Sequence, residues 1–494
     1  MAALSELLAK GKRVGSHRPM PRAIIDATVW TQAVHALADE RATLLGLWGE
    51  RDTAHMALRD GESGEIAVLS LACPNGHFPS VSALHPPAQR LERTMRDLYG
   101  LIAEGATDTR PWLDHGKWEN SRPEARAPYE FREAEGEGLH RIVVGPIHAG
   151  IIEPGNFRFH AGGETVVRLE ERLGYVHKGI EGLMVGATLD RGARLAGRTS
   201  GDSTVAYAFA FARAAEAARG IEAPLRAVWL RALMAEIERL ANHFGDIGAI
   251  CNDASFALMH AHTGVLRERA LRAADAAFGH RLMRDCIVPG GVARDLDDGG
   301  RVALSHFVAE ARRRFPPLVT LYDDTASLQD RTVGAGYLGP QLARQYGAGG
   351  IVGRASGRDF DARRDLVYAP YDHLRFSVQR RSDGDVNARV WIRIREVEQS
   401  LELVEQILDG LPKTPIRIDL PRGGGEGLAL VEGFRGEVLV WLRLNGDGTI
   451  ARCHLRDPSW FQWPLLEAAI ESNIVADFPL CNKSFNCSYS GHDL

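Results

Sequence analysis

Residues 198–203 read Arg-Thr-Ser-Gly-Asp-Ser, and they open an alanine-rich apolar run. Ser200 and Ser203 stand three positions apart across a glycine. Thiols at these two positions would give R-x-C-G-x-C, a spacing at which two thiolates from one tight turn reach a single soft metal ion. A neutral hydroxyl is a hard, weakly acidic donor and does not replace thiolate toward nickel or iron. The two serines therefore read either as helix caps or as hydroxyls for a small ligand. Glu153, in a Glu-Pro-Gly loop, is a solvated carboxylate or, if buried beside a pocket, a proton carrier with raised proton affinity. Asp253 follows a helical stretch and caps the next one or serves the same relay. Glu236, Arg239 and His243, spaced by three and four, share one helix face and read as an ion-pair and packing network rather than a ligand set. His148 and His177 are isolated, and Cys487 reads as inert.

The totals limit what such groups can serve. A chain of 494 residues, 45% of them hydrophobic, supports two or more domains with their own cores. With 59 basic against 64 acidic residues, no bulk charge favours nucleic acid or an anionic surface. No apolar run approaches the roughly 20 residues needed to span a bilayer, and residues 1–22 lack a hydrophobic signal core. The expectation is a cytoplasmic protein that docks on a membrane partner. Cys73, Cys251, Cys286, Cys453, Cys481 and Cys487 form no C-x-x-C pair, which favours reduced structural thiols and leaves no motif for an iron–sulfur cluster.

Several elements must position these groups. Glu65 to Leu71 reads as a strand and Pro87 to Tyr99 as a helix ending at Gly100, which gives a small α+β unit over residues 1–115. A linker covers 116–140, its onset signalled by charge, Pro and Trp from Asp108. Strands are expected at 142–144 and 157–159, and then a helical region from Val166 to about Gly279. Within it Val205 to Arg219 is a buried helix, and a second runs from Leu225 to about His243, with Pro224 in its first turn. Residues 281–358 read as glycine-rich loop. They contain Gly334-x-Gly336-x-x-Gly339, which lacks the preceding strand of a dinucleotide turn and runs straight into Pro340. Val390 to Leu411 has a helical apolar face, and Val438 to Leu442 enters a hairpin turn at 446–448.

Separated blocks then point to one family. Residues 144–148 (Val-Gly-Pro-Ile-His), 174–181 (Gly-Tyr-Val-His-Lys-Gly-Ile-Glu), 236–249, 288–292, 353–357 (Gly-Arg-Ala-Ser-Gly) and 431–437 (Val-Glu-Gly-Phe-Arg-Gly-Glu) resemble the large subunit of group 4 membrane-bound nickel-iron hydrogenases, the formate hydrogenlyase branch included, and its relative, the 49 kDa subunit of complex I. Residues 92–100 resemble the complex I 30 kDa subunit. The resemblance implies a large α-rich domain over 141–494, a helix bundle with small β-sheets, and so an α+β chain overall. It also implies partners: a small iron–sulfur subunit that carries the clusters, and antiporter-like and quinone-chamber-like membrane subunits. Attachment would be at the inner face of the cytoplasmic membrane.

Against that family the chain departs at its metal ligands. The four cysteines that hold nickel and iron fall on Ser200, Ser203, Ser488 and Gly491, so no metal site and no cofactor bound by this chain is expected. The sequence stops at Leu494, without the histidine-containing extension that hydrogenases lose on maturation. The quinone-headgroup tyrosine of complex I falls on Gly201, and the loop of its headgroup histidine corresponds to 149–155. The aspartate that pairs with that histidine matches Asp253, and Glu153 falls near the hydrogenase glutamate that carries protons. The implied function is a coupling subunit of an energy-converting redox complex, and the alternative is reduction of quinone or another small acceptor in the altered pocket.

Overall fold

The structure is a computed structural model that describes residues 4–148 and 152–494. Its N-terminal part is built on a five-stranded sheet in the order Lys12–Arg13, Arg22–Ile25, Ile66–Ala72, Thr53–Asp60, Ala42–Glu50. Only the pairing of Arg22–Ile25 with Ile66–Ala72 is parallel; Ala23 lies opposite Leu69. One face is covered by the helix Ala27–Ala38, capped by the Asp26 carboxylate on Val29 N, and by Gln89–Tyr99, which stops at Gly100 with φ 72°, a conformation that favours glycine.

The other face meets a second sheet. Leu45, Trp48, Ala57, Ile66 and Val68 pack against Leu428, Leu430, Leu439 and Trp441. That second sheet runs Ile450–Arg456, Gly436–Leu444, Gly425–Gly433 and, at its edge, His17–Arg18 from the N-terminal part. The edge strand is parallel, with His17 opposite Glu426, and Arg22 Nη1 donates to Glu426 Oε2 beside it. The expected hairpin at 446–448 is present, its turn held by Asp447 Oδ1 accepting from the Thr449 amide and hydroxyl.

The helices Thr204–Arg219, Leu225–Asp253, Ala257–Phe278, Asp298–Asp324 and Val386–Gly410 form the bundle on the opposite side. Thr204–Arg219 is buried on nearly every side, as an all-round apolar sequence requires. The fold is thus α+β, with helices outweighing small sheets. A third sheet, Leu139–Val144, Asn156–Gly162 and Thr165–Arg172, contains both strands expected at 142–144 and 157–159, and its third strand replaces the start of the helical region expected from Val166, because those residues pair antiparallel with Asn156–Gly162.

Three details depart from expectation. The helix from Leu225 continues ten residues past His243 to Asp253, and Pro224 is its N-cap rather than part of its first turn. Residues 281–358 are not mainly loop, since Asp298–Asp324 is a 27-residue helix. Its start is fixed by Asp297 Oδ1 on Gly300 N, and Leu304, Phe307, Val308, Ala311 and Phe315 give it a buried face. Pro316 and Pro317 sit inside it, and those prolines and the surrounding glycines obscure its period in sequence. The glycine cluster at 334–339 follows the helix Ala326–Thr332, and Gly336 N donates to Asn473 Oδ1, so the segment is a structural turn.

Candidate functional site

Two loops meet at one end of the bundle. The first, residues 199–203, enters the helix Thr204–Arg219; the second, residues 486–491, follows the helix Phe478–Phe485. Ser200 Oγ and Ser488 Oγ lie 2.9 Å apart in a direct hydrogen bond. Ser200 also donates to Asp202 Oδ1 at 2.9 Å, and Ser488 Oγ accepts from Gly491 N at 2.9 Å, capping the short helix Tyr489–Asp493. Ser488 is thus a helix cap, whereas the capping expected of Ser200 and Ser203 fails: Ser200 Oγ is taken up by Ser488 and Asp202. Ser203 occupies the N-cap position of Thr204–Arg219 without a side-chain cap bond, because Glu238 fills that role with Oε2 on Val205 N at 2.7 Å and Oε1 on Ala206 N at 3.1 Å.

The loops are clamped from behind. Arg435, at the tip of the hairpin between Gly425–Gly433 and Gly436–Leu444, donates to Asp202 Oδ1 at 2.7 Å and to Ser203 Oγ at 3.0 Å, and its Nε reaches the Asn486 carbonyl. Burial would raise the proton affinity of Asp202, but the Arg435 guanidinium more than offsets it and holds the carboxyl at about 2. Lys178 Nζ ties Thr199 O to Ser490 O, at 3.0 and 3.3 Å. The buried Asp493 carboxylate accepts from Gly174 N and Val176 N. Sequence reading did not single out Asp202, Lys483 or Asp493, and Lys178, Glu238 and Arg435 appeared only inside matched blocks.

In front of the loops opens a cleft of about 460 Å³. Both predicted carboxylates line it, with Ser200, Ser488, Lys483 and Asn486. Glu153 Oε2 accepts from Ser490 N at 3.2 Å. Asp253 is the last residue of its helix, not a cap of the next, and burial raises its proton affinity, partly offset by Lys483. Residues 149–151, part of the loop counterpart discussed above, lie outside the described residues. His148 and His177 are held by backbone: His148 Nε2 lies 2.9 Å from Gly155 O, and His177 Nδ1 lies 2.7 Å from Asp493 O. Cys487 is buried at the cleft wall, its thiol pushed well up by burial, so it carries little thiolate.

Deeper in the bundle the Glu236, Arg239 and His243 face joins a buried ion network. Glu396 receives His243 Nε2 at 2.8 Å, Arg354 Nη2 at 2.7 Å and Arg239 Nη1 at 3.3 Å. Arg354 also reaches Glu432 at 2.8 Å, and Glu236 takes Arg363, Tyr371 and Ser400. Burial alone would raise Glu396, but the cations around it, Arg354 foremost, hold it well below the usual carboxylate range. On the same helix Asp246 bonds Arg393 on the core side and Asn486 on the cleft side. The network is structural, as its spacing suggested.

Comparison with known proteins places this geometry. The model of the respiratory-chain NADH dehydrogenase 49 Kd subunit matches residues 255–423 and 418–493, and that of the 30 Kd subunit matches 27–129. Formate hydrogenlyase subunit 5 of Escherichia coli is 31% identical over 84% of this chain and 77% of its own length. The chain belongs to the hydrogenase and complex I 49 kDa family, fused to a 30 kDa-type region. Hydrogenase-4 component G of the same organism is 31% identical over 89% of this chain and 80% of its own. In fold, the chain superposes on a chain of the membrane-bound sulfane sulfur reductase, an archaeal respiratory membrane complex, with a TM-score of 0.69 and 24% identity over 73% of this chain and all of that one. Among the described residues no helix is long and apolar enough to cross a membrane.

The family's hydrogenases imply a nickel-iron centre at the junction of these two loops, and the donors present do not fit it. Three positions offer neutral hydroxyls, two of them bonded to each other, and the fourth is a glycine. There a Cβ built on Gly491 would lie 2.4 Å from Asp457 Oδ2, so the Asp457 carboxylate would have to shift before a thiol-bearing side chain fitted.

Proposed function

We propose that this chain is the fused 30 kDa-like and 49 kDa-like subunit of a membrane-associated, energy-converting redox complex, and that it couples electron transfer in a neighbour to ion movement without nickel-iron chemistry of its own. The observation that carries this reading is the Ser200–Ser488 hydrogen bond. It joins the two loops across the place where family hydrogenases hold their metals, while Glu153 and Asp253 remain on the cleft in front. In this reading Asp253, its proton affinity raised by burial, takes and releases protons, and Glu153 passes them between cleft solvent and the Ser490 loop. The iron–sulfur clusters belong to a small partner subunit, since this chain has no cluster motif. Antiporter-like and quinone-chamber-like subunits would anchor it at the cytoplasmic face of the membrane.

A second reading is favoured by the cleft itself. Its volume, with Ile152, Pro479 and Tyr489 offering apolar surface beside the carboxylates, suits the headgroup of a quinone or a similar small acceptor.

Metal content by plasma mass spectrometry and hydrogen uptake, both on the intact purified complex, test the first reading. Nickel at one per chain with hydrogen turnover would overturn it. Reduction of a quinone analogue by the complex, lost in Asp253→Asn and Glu153→Gln variants that still assemble, selects the second reading over pure coupling.

A further inference from the structure

Behind the 199–203 turn, away from the cleft, lies a second pocket of about 260 Å³ between the helices Leu225–Asp253 and Ala257–Phe278 and the segment 281–284. We propose that it binds a small organic anion with an apolar body, of the aromatic carboxylate class. The inference stands apart from the relay proposed above.

Its interior is aliphatic: Ile237, Ala241, Leu271, Leu282 and Met283 line it. A dry cavity of about 150 Å³ with such walls already accepts benzene, so this one admits a ring with a substituent. The rim supplies charge. Arg267, Arg281 and Arg284 all reach the pocket, and Arg281 is engaged by Glu268 at 2.8 Å. Among the described residues Arg267 and Arg284 have no ion-pair partner.

The carboxylates in the wall do not neutralise them. Asp202 is committed to Arg435 on the cleft side. Glu238 is turned onto the two amides of the Thr204–Arg219 helix, and burial pushes its carboxyl up to about 8, so it carries little charge at neutral pH. The uncompensated charge at the mouth of an apolar pocket is therefore positive. That combination selects a molecule whose ring packs against Leu271 and Met283 while its carboxylate faces the two guanidiniums.

Occupancy has a route to the cleft. Gly201 and Asp202 form a wall of both cavities, and Arg284 Nη2 lies 3.9 Å from where a Cβ on Gly201 would stand. A ligand that draws Arg284 toward itself acts on the turn that carries Ser200.

The test is calorimetric titration of the intact complex with benzoate and with benzamide, its neutral counterpart. The expected result is saturable benzoate binding at least about tenfold tighter than benzamide, the scale of one charge-assisted pair. Arg284→Gln, an exposed position, should abolish that preference, and Leu271→Trp should fill the pocket and abolish binding of both. No saturable binding of benzoate, equal affinity for the two probes, or a preference that survives Arg284→Gln would each overturn the proposal. Should Leu271→Trp fail to fold, the Arg284→Gln comparison alone decides.

Discussion

The Leu225–Asp253 helix passes through two polar regions of opposite character. Near its middle, Glu236, Arg239 and His243 enter a network where carboxylates and guanidiniums meet at hydrogen-bond distance and water is excluded. Near its end, Asp253 faces a cleft whose hydroxyls bond one another and whose Lys483 stands in open solvent range. The first region holds charges that cannot be removed one at a time, whereas the second presents neutral hydroxyls on two loops. Those loops are held from behind by Arg435, Lys178 and Asp493 rather than by their own side chains alone.

Breaking the buried side should cost most. Glu396→Ala removes the buried carboxylate that Arg354, Arg239 and His243 share, and a loss of about 3–5 kcal/mol is expected by denaturant unfolding, against little change for the exposed pair Arg312–Glu405. Refitting the cleft side comes next. With cysteines placed at Ser200, Ser203, Ser488 and Gly491 together, the Gly491 Cβ collides with Asp457, so a destabilisation of about 1–3 kcal/mol is expected, with no nickel incorporated by mass spectrometry. Nickel uptake without loss of stability would show the loops to be more pliant than their clamps suggest. Ser200→Ala removes two hydrogen bonds, one to the Ser488 hydroxyl and one to the Asp202 carboxylate, and should lower stability by about 1–2 kcal/mol, less than the Glu396 change.

The smallest effect is one of pH. A carboxyl whose proton affinity is raised on folding adds stability that is complete at low pH and is lost as pH rises through its native value. Asp253 is such a group, half-buried, so its contribution declines as pH rises above the ordinary aspartate value of about 4. Tm measured as pH rises from there should fall less steeply in Asp253→Asn; an identical slope in the variant would mean that the carboxyl is fully solvated in the native state.

How much of this was legible in the sequence depended on how local the signal was. The pattern Glu236, Arg239, His243 sits on one helix, so its shared face could be read directly, and its structural role was. Glu238 could not, because its partners are backbone amides of another helix more than thirty residues away, and a carboxylate that caps a neighbour leaves no periodic trace. Ser203 was misread as a cap for the same reason, since a side chain from elsewhere had taken the N–H groups it would have served. The Asp298–Asp324 helix was hidden by Pro316 and Pro317, which local rules treat as breakers and which the packed face of the helix overrides. The coming together of Glu153, Asp253 and Ser488 spans well over half of the chain, and only the family resemblance made it visible.

The edge strand His17–Arg18 carries a consequence for biogenesis. It completes a sheet whose other strands lie some four hundred residues further along, and Arg22 is locked to Glu426 across the same distance. A ribosome must therefore release most of the polypeptide before this strand has a partner, and the N-terminal region waits during most of synthesis with one sheet face bare. Because one chain carries both regions, they are made in fixed ratio and the bare face is covered by closure within the chain rather than by encounter of two polypeptides.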